Sequence, residues 1–268
     1  MHLVRFRDTH GRIQFGVDNH DQTATLLEQS PLIGPIRPTD RKADIQQRLA
    51  PIDPPCIYCV GLNYREHARE TGAELPRYPL IFMKPPTAVQ HPDQPIRIPA
   101  CCTHGPEVDY ECELAVVIGK TARNVSEQHA LEHVLGYTAA NDVSARWWQK
   151  TGGGGQWIRG KGFDTFCPLG PTLVTAEQIP DPQSLDISTT LNGRTMQQHN
   201  TGDMIFSVAQ LIAFLSQDTT LAPGTVILTG TPQGVGVARN PQVFLKPGDQ
   251  VTVQVQHIGQ LHNPVTNA

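Results

Sequence analysis

The chain has few cysteines and no long hydrophobic run among its 268 residues. Six cysteines are too few to hold a chain of this length together through disulfides. Cys56 and Cys59 form a lone CxxC within an apolar run, so we expect packed free thiols and not a zinc ribbon. No segment reaches the about 20 apolar residues of a transmembrane helix, and a membrane-spanning protein is therefore not expected.

An excess of positive charge is also absent. The formal net charge is −4 at pH 7 and the pI is about 6.2, which argues against nucleic acid or an anionic membrane as a partner. The N-terminal residues include no apolar stretch of the signal-peptide kind, and we therefore expect a cytoplasmic protein. Because 38% of the residues are hydrophobic and 17% are charged, the chain is expected to bury a sizeable core.

Short strand patterns outnumber helical patterns along the chain, which favours a β-rich α+β fold. Strand-like runs lie at 3–6, 13–15, 57–60, 79–84, 109–118, 225–228 and 251–255. Residues 41–49 have helical spacing, and residues 64–71 form a clearer helical pattern that ends at Gly72. The turn-forming run 53–55 separates a predicted small N-terminal β segment, residues 1–52, from a predicted catalytic domain, residues 53–268.

The run 109–118 contains the most informative pattern. In a strand, Asp109, Glu111 and Glu113 would share one face, while Tyr110 and Cys112 would point the other way. Glu111 and Glu113 would lie about 6–7 Å apart, since a strand rises about 3.3 Å per residue. Such an acidic face is most often simply solvated. The alternative is that a bound divalent cation relieves the repulsion between the carboxylates.

Residues 141–149 supply a third candidate carboxylate. If a helix begins near Asp142, then Asp142, Arg146 and Gln149 share one face at positions i, i+4 and i+7. The plainer interpretation is a helix-capping aspartate followed by a solvated arginine. Together with Glu111 and Glu113, Asp142 would give three oxygen ligands, which suit a hard cation such as Mg²⁺, Mn²⁺ or Ca²⁺ better than zinc.

With these segments in view, the sequence resembles the fumarylacetoacetate hydrolase (FAH) superfamily. The blocks that carry the resemblance follow the expected order and lie at 61–67, 82–85, 109–119, 141–149, 160–166, 168–171 and 229–236. The stretch 156–168 is most similar to the branch named after the second FAH-domain-containing protein. The resemblance implies the FAH C-terminal-domain fold, with mixed β-sheets rolled around a metal site, and it implies a homodimer.

The resemblance also assigns roles to individual residues. The residues that match metal ligands of the family are Glu111, Glu113 and Asp142. The residues that match its catalytic machinery are His67, Glu70 and Lys161. The residues that match its substrate-binding positions are Lys84, Arg146, Gln149 and Thr231. The cofactor is expected to be Mg²⁺, with Mn²⁺ and Ca²⁺ as alternatives.

Three of these assignments also have a physical argument. His67 and Glu70 are three residues apart, so on a helix they would meet, and the carboxylate would make the imidazole a better base. Lys161 lies between two glycines, whose backbone can approach a ligand closely. Thr231 lies in a loop, 229–236, that offers hydroxyl and N–H groups to an anion. The plainer interpretations are an exposed helical pair, a surface lysine and an ordinary turn.

Several features depart from the family pattern. Trp147 stands where many members have an acidic residue, and Cys112 replaces a larger residue between the two glutamates. The glycine run 152–155 is unusually long, and Gly162 follows Lys161 where serine or threonine is common. None of these departures removes a predicted ligand. They leave the shape of the pocket, and therefore the identity of the substrate, open.

The first expectation for function is a divalent-metal-dependent hydrolase. It would cleave a C–C bond in a small 2,4-dioxo acid of the acylpyruvate or fumarylpyruvate type through an enolate, with a 2-oxo acid as its small-molecule partner. The alternative is an oxaloacetate decarboxylase or tautomerase that uses the same site. A further alternative is a non-catalytic protein that binds a metal ion or a carboxylate. An Fe(II) oxygenase is weakly indicated by His91 and Asp93, which fit half of a facial triad.

Overall fold

The computed structural model describes residues 1–268, which form mainly short strands. The strands are β1 (His2–Arg7), β2 (Ile13–Asp18), β3 (Thr23–Leu27), β4 (Pro38–Asp44), β5 (Gln47–Leu49), β6 (Ile57–Gly61), β7 (Leu80–Lys84), β8 (Val89–Gln90), β9 (Ile96–Ile98), β10 (Val108–Asp109), β11 (Cys112–Ile118), β12 (Val134–Asn141), β13 (Ser144–Ala145), β14 (Cys167–Thr175), β15 (Asp186–Leu191), β16 (Arg194–Asn200), β17 (Val226–Leu228), β18 (Gln250–Val255) and β19 (Gly259–Asn267). The α-helices are α1 (Arg65–Thr71), α2 (Ile158–Lys161) and α3 (Val208–Leu215). Short 3₁₀ turns lie at Pro86–Ala88, Glu127–His133, Ala176–Gln178, Thr201–Asp203 and Gly236–Ala238, and a π-helical turn lies at Trp148–Gly152.

The strands form three sheets. The largest has twelve strands, most of which follow the order β4-β3-β2-β1-β14-β12-β11-β17-β6-β7, while β5 pairs with β1 and β8 with β14. A five-stranded sheet follows the order β16-β15-β18-β19-β9, and β10 pairs with β13 in a small ribbon. The large sheet is mixed, since β17 pairs antiparallel with β11 and parallel with β6. The predicted β-rich α+β fold is confirmed.

Strand β11 is buried on both faces because its alternating side chains enter two hydrophobic cores. Leu114 and Val116 pack in a core of 26 buried residues that also takes side chains from α3 and from the five-stranded sheet. Ala115 and Val117 belong to a second core of 15 buried residues, formed with other strands of the large sheet. Glu113 shares the face of Ala115, so the fold carries this carboxylate into the interior.

The N-terminal residues extend the large sheet, since β1 pairs with β14. The helix predicted over 41–49 is wrong, because this stretch belongs to β4 and β5. Pairing of β5 with β1, which sets Arg5 opposite Leu49, decides the conformation there, and local spacing does not reveal it. The division of the chain at residue 52 stays a prediction.

Two predictions near the acidic residues need correction. The strand predicted over 109–118 is interrupted at Tyr110 and Glu111, between β10 and β11. The helix predicted to begin near Asp142 is wrong, because the chain stays extended through β13, which pairs with β10, and helical turns begin only at Arg146. The helix predicted over 64–71 is confirmed as α1, and Gly72 caps it with a φ of 65°.

All six cysteines are free thiols, including Cys56 and Cys59 of the CxxC. Cys59, Cys112 and Cys167 are buried, whereas Cys101 is exposed. None of the helices has the combined length and hydropathy that crossing a membrane requires.

Candidate active site

The paired strands β11 and β12 end in a cluster of three carboxylates. Cys112 lies opposite Asn141 in the ladder, and the backbone N–H of Asp142 donates to the carbonyl oxygen of Glu111 at 2.9 Å. The amide oxygen of Asn141 accepts a hydrogen bond of 3.0 Å from the N–H of Glu111. Carboxylate oxygens of Glu111, Glu113 and Asp142 consequently lie within 4.8 Å of one another.

These carboxylates are buried and not solvated: Glu111 is 6% exposed, Glu113 1% and Asp142 0%. Burial by itself would raise the pKa of Glu111, but the charges of Lys161 and Arg146 outweigh it and hold that pKa at about 2. Burial, followed by the charges of Asp142 and Glu111, raises the pKa of Glu113 well above its usual value. The cluster therefore favours added positive charge near Glu113.

Lys161, the last residue of α2, reaches between two of the carboxylates. Its ammonium lies 2.7 Å from Glu111 Oε2 and 2.7 Å from Asp142 Oδ2. Burial opposes the charged form, but Asp142 and Glu111 outweigh it and raise the pKa of Lys161. A Cβ on Gly160 would lie 2.4 Å from the backbone nitrogen of Gln149. Gly160 thus makes room for the backbone of Gln149. Its position beside Lys161 had instead predicted that it makes room for a ligand.

Lys84, predicted to bind substrate, lies behind the cluster. Its ammonium donates to the carbonyl oxygens of Val143 at 3.0 Å and Phe166 at 2.8 Å, and also to that of Lys161. It lies 2.7 Å from Asp142 Oδ1, and its side chain is 0% exposed. Because its three protons are directed at carbonyl oxygens, Asp142 Oδ1 receives no well-directed hydrogen bond. Lys84 therefore positions Asp142 and the neighbouring backbone. Its place behind the cluster does not support the expected contact with the substrate.

Arg146 connects the cluster to Asp109, an acid to which the sequence assigned no role. Nη1 of Arg146 lies 2.6 Å from Glu111 Oε1, and Nε donates to Asp109 Oδ2 at 2.9 Å. Asp109 also accepts hydrogen bonds from the backbone N–H groups of Gly236 and Val237, at 2.8 and 2.9 Å. Fully buried Asp109 thus fixes both the arginine and the loop after β17. The sequence clue to the role of Asp109 was that it alternates with Glu111 along the chain.

His67 and Glu70 meet on α1, as their spacing predicted. His67 Nδ1 lies 3.0 Å from Glu70 Oε2, and Glu70 Oε1 accepts a hydrogen bond of 2.8 Å from the N–H of Gly234. The two side chains are 13% and 21% exposed, so the pair is largely shielded from solvent. With Nδ1 occupied by the carboxylate, Nε2 is the nitrogen left to exchange a proton.

Thr231, in the loop after β17, is oriented by a buried glutamine that the sequence did not reveal. Gln197 Nε2 donates to Thr231 Oγ1 at 2.8 Å and to the carbonyl oxygen of Pro232 at 2.9 Å. Gln197 Oε1 accepts a hydrogen bond of 2.9 Å from the N–H of Cys112. Because the Thr231 oxygen already accepts a hydrogen bond, its own proton is free to donate to a bound molecule. Nothing in the polar run of β16 distinguishes Gln197 from neighbouring Gln198.

A cavity of about 270 Å³ lies beside the carboxylates. All the predicted site residues except Glu70 and Lys84 line it. Apolar side chains complete the wall, among them Phe82 and Trp157. Gly61 makes room for the indole, since a Cβ there would lie 2.5 Å from the ring of Trp157. The cavity thus joins a charged, buried end to an apolar wall, which suits a small anionic molecule.

The carboxylate cluster fits a divalent cation. Its three side chains offer only oxygen ligands, the kind that Mg²⁺, Mn²⁺ and Ca²⁺ prefer, and these oxygens already lie within 4.8 Å of one another. The raised pKa of Glu113 has burial and neighbouring carboxylates as its causes, and a cation would counter both. The three oxygen ligands thus suit a hard metal ion. Which ion binds there is part of the proposed function.

The residues of the HxD motif do not converge on a metal site. His91 Nδ1 accepts a hydrogen bond of 3.1 Å from the N–H of Ala50, and Asp93 Oδ1 lies 3.3 Å from His262 Nδ1. The carboxylate cluster is the group of three potential metal ligands that the fold brings together. This geometry leaves the Fe(II) oxygenase interpretation without support.

The fold and the site are those of a known class of enzymes. Residues 56–266 match the family described as fumarylacetoacetate (FAA) hydrolase C-terminal, and residues 1–47 match the family described as Rv2993c-like, N-terminal. The chain belongs to the fumarylacetoacetate hydrolase family, as the resemblance of its sequence blocks implied.

Individual relatives indicate which branch of the family the chain resembles. Oxaloacetate tautomerase fahd2, mitochondrial, from Xenopus laevis is 50% identical over 218 residues, which cover 81% of this chain and 67% of that protein. Fumarylacetoacetate hydrolase domain-containing protein 2 from Pongo abelii is 46% identical over 81% of this chain and 68% of that protein. The crystal structure of 5-carboxymethyl-2-hydroxymuconate delta-isomerase from Mycobacterium smegmatis has 38% identity and a TM-score of 0.87, with 100% of both chains covered. The branch predicted from residues 156–168 is confirmed.

The expectation of a cytoplasmic protein is overturned by these relatives. The Xenopus laevis protein is named as mitochondrial, and so are relatives from Bos taurus and Homo sapiens. The expectation rested on the lack of an apolar signal-peptide stretch. That lack bears only on secretion, because mitochondrial targeting segments are amphipathic and have no such stretch.

Proposed function

We propose that this chain is an oxaloacetate tautomerase, which interconverts the enol and keto forms of oxaloacetate. The observation that carries the proposal is a complete carboxylate cluster, with Lys161 beside it, in a chain 50% identical to a protein of that activity. This favours the alternative of the sequence analysis over its first expectation, the C–C bond hydrolase. In the enol-to-keto direction the O–H bond at C2 breaks and a C–H bond at C3 forms, with no net change in atoms.

The 2-oxo acid end of the substrate would bind at the buried end of the cavity. The Thr231 hydroxyl is free to donate to a carboxylate oxygen, because its own oxygen accepts from Gln197. Gln149 Oε1 accepts a hydrogen bond of 3.0 Å from Arg146 Nη1, so the amide nitrogen of Gln149 is left to donate to the substrate. Lys161 places an ammonium where negative charge develops on the oxygen at C2.

Glu111, Glu113 and Asp142 are the residues that would hold the metal ion. Mg²⁺ is the proposed ion, since the donor set consists of carboxylate oxygens. A cation bound there would supply Lewis-acid chemistry at the 2-oxo acid end of the substrate.

His67 is the proposed proton carrier. Its neutral imidazole would accept the enol proton at Nε2, and Glu70 would stabilise the imidazolium that forms. The same nitrogen then delivers the proton to C3. Between these steps the substrate is an enolate, which the Lys161 ammonium stabilises. Phe82 and Trp157 add apolar wall to the cavity, and a less polar environment strengthens these charge interactions.

The test is a direct assay of tautomerisation. The enol form of oxaloacetate, dissolved in an aprotic solvent, is diluted into buffer, and the loss of its ultraviolet absorbance is followed with chelator-treated protein before and after Mg²⁺ is added. Pyruvate formation is measured in parallel, since a decarboxylase would release it. Cleavage of an acylpyruvate is the third assay. Faster enol loss without pyruvate supports the proposal, and acylpyruvate cleavage with unchanged enol loss contradicts it.

The chain offers a matched control for the proton carrier. His129 and Glu132 form a second His–Glu pair at i, i+3, with Nδ1 2.9 Å from the carboxylate, on an exposed 3₁₀ turn outside the cavity. His67→Gln is expected to lower kcat for tautomerisation about 100-fold or more, as loss of a general acid–base does. His129→Gln is expected to leave kcat unchanged.

The homodimer implied by the resemblance is a further proposal. Sedimentation equilibrium is expected to give twice the chain mass of 29.4 kDa. A species of the single-chain mass at micromolar concentration would contradict it.

A further inference from the structure

One cation in the wall of the cavity has no carboxylate partner. The cavity is lined by His67, Arg146, Lys150 and Lys161, and all of these except Lys150 form an ion pair with a carboxylate. Lys150 forms no ion pair and no side-chain hydrogen bond with the protein. Its ammonium is therefore available to an anion that enters the cavity.

Lys150 is one of the exposed residues of the cavity wall, whereas the carboxylates of the cluster are buried. Among the lining residues, Thr71, Ala73, Leu80 and Lys150 are exposed, and they mark the mouth. A 2-oxo acid whose C1 and C2 oxygens face the buried cluster must direct its C4 group towards this mouth. Lys150 thus belongs to the part of the cavity that the distal end of the substrate reaches.

Aromatic packing anchors the turn that carries Lys150. Trp147 stacks on His104, with ring centroids 3.4 Å apart and an angle of 5° between the planes. A Cβ on Gly152 would lie 2.2 Å from the Trp147 ring, so only glycine fits at the end of the π-helical turn. Two departures from the family pattern, Trp147 and the first glycine of the run 152–155, therefore help to hold Lys150 in the wall.

The pairing of charges in the site indicates what Lys150 binds. The buried cations Lys84, Arg146 and Lys161 each contact a buried carboxylate. His67 contacts the carboxylate of Glu70. A distal substrate carboxylate therefore needs a further cation, and Lys150 is the cation that lines the cavity without a partner.

We propose that Lys150 is a specificity-determining residue, whose ammonium binds the distal carboxylate and makes the site selective for dicarboxylic 2-oxo acids. The inference rests on the proposed function and deepens it, since it names the residue that recognises the second carboxylate of the substrate. Because Lys150 is exposed, the interaction is expected to be modest and to weaken as salt screens it.

The experiment compares oxaloacetate with its C4 methyl ester, which has the same chain without the distal charge. The ratio of their kcat/KM values for enol loss is measured for the parent chain and for Lys150→Met, Lys150→Arg and Lys120→Met. Lys120 is an exposed lysine outside the cavity, so its substitution controls for general loss of surface charge. We expect K150M to lower the ratio about three- to fivefold, K150R to restore it and K120M to leave it unchanged.

A binding measurement gives a readout that is independent of turnover. Calorimetric titration compares malate with 2-hydroxybutyrate, a dicarboxylate and a monocarboxylate of equal chain length. The parent chain is expected to prefer malate at low salt and to lose part of that preference at high salt, whereas K150M is expected to have a smaller, salt-independent preference. An unchanged preference in K150M, an equal loss for both substrates, or a loss that K150R does not restore would overturn the inference. If the parent chain does not accelerate enol loss at all, the proposed function itself fails.

Discussion

The Glu70 carboxylate joins helix α1 to the loop after β17, because it accepts a 2.8 Å hydrogen bond from the N–H of Gly234 while its other oxygen contacts His67. One side chain thereby sets the position of the proposed proton carrier relative to the loop that contains Thr231. His67 and Thr231 line the same cavity. The arrangement separates two tasks of Glu70, a charge for the imidazole and an acceptor for the loop.

Glu70→Gln tests the first task alone, because a glutamine oxygen still accepts the hydrogen bond from Gly234. We expect kcat for tautomerisation to fall about tenfold to 100-fold, with little change in KM, since His67 then faces an amide NH2 and loses both the charge and the acceptor beside it. Glu66→Gln is the control, because Glu66 lies on the same helix and pairs with exposed Arg69. A variant E70Q with parental kcat would show that the charge of Glu70 plays no part in proton transfer.

Glu113→Ala tests the proposed metal ligands. Removal of one of three carboxylates from a buried cluster is expected to weaken Mg²⁺ binding about 100-fold or more, because an all-oxygen site depends on the number of charged ligands. Titration calorimetry with Mg²⁺ alone measures this without any substrate. Glu132→Ala, which removes an exposed carboxylate, is expected to bind Mg²⁺ like the parent chain. Equal affinity in E113A and the parent would remove Glu113 from the ligand set.

Asp109→Asn tests whether Asp109 positions Arg146 and the loop after β17. The amide offers donors where Arg146 Nε and the N–H groups of Gly236 and Val237 all need an acceptor. We expect the free energy of unfolding to fall by about 3 kcal/mol, since a buried charge pair loses one partner, and KM to rise. Asp40→Asn, at an exposed position, is expected to change neither quantity. Urea denaturation and steady-state kinetics measure both effects.

The cluster of three carboxylates could be predicted from the sequence, although the helix predicted to begin near Asp142 was wrong. Glu111 and Glu113 alternate on one face whether or not the strand continues through Tyr110, so the interruption did not change their relation. The predicted helix, which does not form, grouped Asp142 with Arg146 and Gln149, and the family resemblance grouped it with the two glutamates. The register of β11 with β12, which sets Cys112 opposite Asn141, is what brings Asp142 to Glu111.

The roles of other residues depend on contacts that no local pattern encodes. Lys84 is the last residue of the apolar strand β7, and its sequence position suggests the edge of a pocket. The carbonyl oxygens of Val143, Lys161 and Phe166 nevertheless surround its ammonium. Gln197 orients Thr231 across a sequence separation of 34 residues. Residues 41–49 have helical spacing, but pairing with β1 makes Gln47–Leu49 a strand, β5. In each case a tertiary contact decides the conformation or the role of the residue, and a single sequence does not show that contact.

The N-terminal segment offers a test of pH dependence away from the active site. Arg48 donates two hydrogen bonds to Asp18, at 2.6 and 3.2 Å, and the Asp18 side chain is 4% exposed. Burial would raise the pKa of Asp18, but the hydrogen bonds and charge of Arg48, with the N–H of His20, lower it below 3.8. Because the folded pKa lies below the unfolded value, this pair stabilises the protein fully above about pH 4, and the contribution is lost as pH falls through the folded pKa.

Asp18→Asn is therefore expected to lower the free energy of unfolding by about 2 kcal/mol at pH 7, the usual contribution of hydrogen bonds to a charged group. The difference from the parent chain is expected to shrink as the pH falls below about 4, since Asp18 then takes up a proton on unfolding. Urea denaturation at pH 7, 5, 4 and 3 measures it. Arg48→Met supplies the matched half of a double-mutant cycle, whose coupling energy should decline over the same pH range. A coupling energy that is constant from pH 7 to pH 3 would mean that packing, and not the charge of Asp18, holds β2 against β5.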